Sequence, residues 1–109
     1  MDLREIQQLL RDGRYEVSLH AQQERLEEDL DLIQIEAAII DQGELLEEYP
    51  DDPRGESCLL LGFVGPRPIH VVLGWATMKT EPQRMLRLIT VYTPMAPKWI
   101  DPRTRGDRS

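Results

Sequence analysis

CLLLGFVGPRPIHVVLGW, residues 58–75, decides the fold. Cys58 to Val64 is almost unbroken apolar sequence, as expected of a strand in the interior of a sheet. Gly65-Pro66-Arg67-Pro68 supplies the turn chemistry of a hairpin connection. Beyond it Ile69, Val71, Leu73 and Trp75 alternate with His70, Val72 and Gly74, which is a second strand paired back on the first.

Reading outward, residues 78–83 form the next turn. Leu86, Leu88, Thr90 and Tyr92 then alternate with Met85, Arg87, Ile89 and Val91 in a last strand. Upstream, PDDPRGES (residues 50–57) is a loop, and Leu45 to Tyr49 is a short strand before it. The first forty residues change period. Leu3, Ile6, Leu9 and Leu10 recur at helical spacing over residues 2–12, with Asp2 as cap and Gly13 past the end. Tyr15, Val17 and Leu19 alternate with Glu16, Ser18 and His20 as a strand. Strong helix formers begin at Ala21. Asp31 caps a further helical stretch with Leu32, Ile35, Ala38 and Ile39 on one face, ending near Gly43.

The element order predicts an α+β domain: an N-terminal helix, a strand, one or two helices, then a four-stranded antiparallel meander with the helices packed on one face. Length allows a single domain over residues 1–100, followed by a flexible tail over 101–109, with Trp99 just before it able to pin the chain back.

Charge divides the chain. Residues 1–53 carry 4 Arg against 16 Asp and Glu, a balance of −12, and residues 54–109 carry 9 Lys and Arg against 4 Asp and Glu, a balance of +5. The overall −7 disfavours non-specific nucleic-acid binding, while the basic half could present a local positive surface or pair with the acidic half. Cys58 is the single cysteine, so no internal disulfide forms. MDLREIQQLL lacks the basic and apolar regions of a signal peptide, and the longest apolar run is too short to span a bilayer. A cytoplasmic location is the expectation.

Several motifs in order carry a resemblance. Ser18-Leu19-His20-Ala21, Glu48-Tyr49-Pro50-Asp51-Asp52, Arg67-Pro68-Ile69-His70-Val71-Val72 and Ile89-Thr90-Val91-Tyr92 resemble the domain-of-unknown-function family 4258 (DUF4258) over residues 14–105. Pro53 to Leu59 and Trp99-Ile100-Asp101 with Arg103 and Arg105 resemble a subgroup of it. The element order is similar to that of the RelE/ParE-like small ribonuclease toxins. The resemblance implies RNA cleavage and two partners, RNA and a small antitoxin-like protein. One position departs from the pattern: many members carry Arg four residues after the histidine, where this chain has Glu24.

The residues themselves allow metal-independent phosphodiester cleavage. Attack by a ribose 2′-hydroxyl needs a base, an acid and a cation near the developing phosphorane. The chain has two histidines, His20 and His70, which titrate near neutrality and make the natural acid–base pair, with Tyr92 as a third catalytic candidate. Arg25, Arg54, Thr90, Lys98 and Trp99 are the substrate-binding candidates, through phosphate contact, hydroxyl donation and base stacking. No metal ligand set with zinc spacing, Gly-rich phosphate loop or dinucleotide fingerprint occurs, so no cofactor is expected. Each candidate has a structural role open to it as well. His20 or Ser18 can cap a helix, His70 can be a hydrogen-bonded sheet residue, and Trp99 can be a buried anchor. The competing expectation is a non-catalytic protein-interaction domain. The two part on whether both imidazoles meet in one groove.

Overall fold

The computed structural model describes residues 1–76 and 84–106. Three helices, α1 (Leu3–Arg11), α2 (Leu19–Glu27) and α3 (Leu32–Gln42), accompany strands β1 (Tyr15–Val17), β2 (Glu44–Tyr49), β3 (Ser57–Val64), β4 (Arg67–Trp75) and β5 (Leu86–Tyr92). Two short strands, β6 (Trp99–Asp101) and β7 (Thr104–Arg105), close the described chain. The turn expected over residues 78–83 falls outside the described residues.

The α+β class holds, but the sheet is five-stranded and mixed, in the order β1-β5-β4-β3-β2. Strands β2 to β5 pair antiparallel with their neighbours, and β1 adds to the β5 edge in parallel. The expected four-stranded meander is therefore extended by β1, the strand between α1 and α2. That strand is also shorter than its alternation suggests. Ser18 leaves the extended run to cap α2, its Oγ accepting from Ala21 N at 3.0 Å, so Leu19 and His20 are already helical.

One sheet face meets α1 and α3. Ile6, Leu10, Ile35, Ala38 and Ile39 pack with Cys58, Leu60, Ile69, Val71, Leu73, Leu86, Leu88 and Val91 in a single core. Each of the Leu, Ile and Val side chains in it contributes about 1.5–3 kcal/mol by leaving water. Gly62 sets how closely α3 lies on β3, since a Cβ there would stand 2.8 Å from the Ala38 carbonyl oxygen. Helix α2 instead flanks β5 beyond the end of β1.

The opposite, back face explains why β3 reads as unbroken apolar sequence. Leu59 and Leu61 point away from the helices and are still buried, because the β6–β7 hairpin folds over that side. Trp99 is buried there, while Arg103 binds Glu44 at 2.8 and 2.6 Å and Arg105 binds Glu47 at 2.9 and 2.7 Å. The domain boundary expected at residue 100 thus falls within β6, and residues 107–109 of the expected tail lie outside the described residues.

β5 departs from simple alternation. Leu88 faces Leu73 and Thr90 faces Val72, leaving Ile89 as an unpaired bulge residue. Leu86, Leu88 and Val91 accordingly face the core, and Thr90 and Tyr92 share the back face with Val72 and His70. Beyond the end of β1, groups on this stretch of β5 find partners on α2: Ser18 Oγ donates to Ile89 O at 3.0 Å, and Val91 N donates to Glu24 Oε1 at 3.1 Å.

Candidate functional site

The back face has a covered half and an open half. The open half is a groove of about 510 Å³ lined by residues that include Ser18, His20, Arg54, Trp75, Arg87 and Ile89. The loop between β2 and β3 supplies Arg54, the β5 strand supplies Arg87, and the first turn of α2 supplies His20. Gly74 keeps the floor low, since a Cβ at that position would stand 3.0 Å from Ile89 Cδ1.

The cations in the groove are tethered but accessible. Arg54 is 85 % exposed, with Nε 3.4 Å from Asp52 Oδ1. The Arg54 backbone N–H and then its side chain hold the Asp52 carboxyl below the usual carboxylate range. Arg87 Nη1 lies 3.2 Å from Glu16 Oε2. Glu56 also lines the groove; the Trp75 indole N–H donates to it at 3.1 Å and lowers its proton affinity. His20 is 68 % exposed, and its Nε2 stands 3.2 Å from Glu24 Oε1.

The covered half contains His70. Its side chain is fully buried, with Nε2 2.7 Å from Pro102 O and Nδ1 3.1 Å from Tyr92 Oη. A carbonyl oxygen can only accept, so Nε2 carries the hydrogen and donates it. In the neutral ring Nδ1 then accepts from the Tyr92 hydroxyl. Trp99 stacks edge-on at 4.4 Å between ring centroids. Burial pushes the His70 proton affinity down, against a smaller opposing pull from the Pro102 carbonyl. Both nitrogens are thus committed, and His70 has none to offer a substrate.

The acid–base pair expected from the sequence is therefore not assembled, because the two histidines occupy different environments. Of the expected residues, His20 and Arg54 line the groove. Tyr92 is held against His70, and burial raises its phenol pKa. Trp99 anchors the hairpin, with Arg105 stacked 4.7 Å from its ring centre, and Lys98 is exposed beside it. Thr90 donates to Glu24. Arg25 donates to Gln22 Oε1 at 2.7 Å and Leu30 O at 3.2 Å, joining α2 to the turn that follows. Arg67, within a family-like motif, clamps Glu28 and Thr93. Cys58 lies in the core, where burial pushes its thiol up to about 11. Arg87 is not among the expected residues, and Glu24 enters the sequence reading only as a departure from the family pattern. Arg87 could have been found from its place opposite the inward-facing Leu86 and Leu88. Nothing in the sequence ties Glu24 to β5.

The DUF4258 model, a domain of unknown function, matches residues 17–93, and the chain belongs to this family. No curated protein and no solved structure matches it. Among the described residues, no helix is long and apolar enough to cross a membrane.

Proposed function

We propose that this DUF4258 domain binds RNA in the His20 groove and cleaves it without a metal, using one histidine instead of two. The observation that supports this is the gathering of His20, Arg54 and Arg87 around a single groove. In the reaction, a His20 ring nitrogen removes the proton of a ribose 2′-hydroxyl. The freed 2′-oxygen attacks the adjacent phosphorus, and the bond from phosphorus to the 5′-oxygen breaks. The products are a 2′,3′-cyclic phosphate and a 5′-hydroxyl. Solvent reaches the open groove and supplies the proton for the leaving oxygen. Arg54 and Arg87 face the phosphate as its charge builds.

The test is cleavage of a defined single-stranded RNA in the presence of EDTA. Wild type yields cyclic-phosphate ends. His20→Ala lowers the rate by about 10²- to 10⁴-fold, the usual contribution of a positioned base. Arg54→Ala and Arg87→Ala weaken binding and flatten its salt dependence. Absence of both cleavage and binding at about 0.15 M salt would remove this reading.

A second reading is a non-catalytic domain that binds a small protein of antitoxin type. It draws on the outer face of α2, where Leu19 and Leu26, two turns apart, are 76 % and 63 % exposed beside Glu27 and Asp29. Leu26→Lys separates the two readings: it leaves RNA cleavage intact and abolishes protein binding.

A further inference from the structure

His20 sits on a strip of helix fastened on both sides. On one side, Ser18 N donates to Leu88 O at 3.0 Å and Ser18 Oγ donates to Ile89 O at 3.0 Å. On the other side, Glu24 crosses from α2 to β5. Its Oε1 accepts from Val91 N at 3.1 Å and from the Thr90 hydroxyl. The same oxygen lies 3.2 Å from His20 Nε2. Glu24 is only 22 % exposed, so its carboxylate is held by backbone and hydroxyl donors and is not a freely swinging surface acid. His20, by contrast, is on the surface, where an imidazole without a partner samples both tautomers and several rotamers.

A carboxylate oxygen 3.2 Å from Nε2 favours hydrogen on that nitrogen electrostatically, which leaves the lone pair of the neutral ring on Nδ1. We infer that Glu24 is the positioning residue of the groove: anchored to Thr90 and Val91 of β5, it fixes the tautomer and orientation of His20 so that Nδ1 is the nitrogen that takes a proton from a ligand. The inference rests on the reading of the groove as an RNA-cleaving site, and it extends that reading to a residue that touches neither RNA nor the reacting atoms. Thr90 acts one step further back, holding the carboxylate.

The experiment pairs a spectroscopic signature with kinetics. Long-range proton–nitrogen correlation spectra of neutral His20 are expected to show one tautomer, protonated at Nε2, in wild type. Glu24→Gln keeps an oxygen for Val91 N but can present its amide in either sense, and a mixture of tautomers is expected. On RNA, Glu24→Gln is expected to lower kcat by about 10- to 100-fold, part of the full effect of a positioned base, with KM unchanged. Thr90→Val is expected to shift the tautomer ratio the same way by a smaller amount. An unchanged tautomer ratio in Glu24→Gln overturns the inference, even if the variant melts earlier, because a purely structural role would move stability alone. The spectra need no RNA. If wild type proves inactive while the tautomer still depends on Glu24, the RNA-cleaving reading fails and the positioning role stands. If cleavage depends on His20 but the tautomer ignores Glu24, the reverse holds.

Discussion

The two halves of the back face carry one histidine each and treat it in opposite ways. His70 lies under the β6–β7 hairpin with both ring nitrogens bonded and Trp99 packed on its edge. His20 stands at an open groove with, among the described residues, one charged partner, Glu24. A histidine beside a family-like motif can be there to hold the fold or to face a ligand. The number of spare ring nitrogens tells the two apart. By that measure His70 is a structural residue, and His20, exposed at the groove, is the histidine that the proposed reaction uses.

The largest expected effect breaks the covered half. Trp99→Ala removes the residue that seals the hairpin, and it should cost about 3–5 kcal/mol, measured by urea denaturation. A loss below about 1 kcal/mol would mean the hairpin rests loosely on the sheet, and the contrast between the halves would collapse. His70→Leu comes next. It keeps the packing but leaves the Pro102 carbonyl and the Tyr92 hydroxyl without their partner, at about 1–3 kcal/mol for a buried polar group so stranded.

His70 also sharpens the comparison through pH. Its folded-state proton affinity is depressed by burial, so the unfolded chain binds a proton more readily. Stability from the neutral ring is fully present above the unfolded value of about 6.5 and falls as pH drops from there toward the lower folded value. Melting temperature recorded between pH 7.5 and 5 should decline in wild type and decline less in His70→Leu. Equal slopes would show that the ring is not held neutral.

Smaller effects follow. Arg105→Ala removes an exposed bidentate pair with Glu47 and the stacking on Trp99. It should cost about 1 kcal/mol or less, shrinking as salt is added. The smallest is His20→Ala, expected within about 0.5 kcal/mol of wild type, although it is the substitution with the largest expected effect on cleavage. A large destabilisation there would make His20 a second structural histidine.

The sequence made the elements legible and left their neighbours obscure. Hydrophobic period located the helices, and turn chemistry at Gly65-Pro66 located the central hairpin. Period does not say which edge a short strand joins, so β1 was not seen as part of the sheet. It also does not reveal a residue inserted into a ladder, so Thr90 and Tyr92 were expected on the face of Leu86 and Leu88 and lie on the other. The groove was half legible. His20 stood out as one of two histidines, and Arg54 stood out on a loop. The partners of His70, namely Tyr92 across one ladder rung and the Pro102 carbonyl 32 residues away, depend on how the last hairpin folds. No local pattern encodes that.

The bulge in β5 has an evolutionary consequence. β5 is one residue longer than its ladder with β4 requires. Loss of the codon for Ile89 would let the strand straighten while Val91 still pointed inward and Thr90 and Tyr92 outward. The ladder between β3 and β4 has no such slack, being continuous from Ser57 to Val64. A codon lost there would turn the remainder of the strand inside out. Ile89 is thus the residue of this ladder whose loss the fold is expected to absorb, at the cost of the Ser18 bond to its carbonyl and of the groove wall.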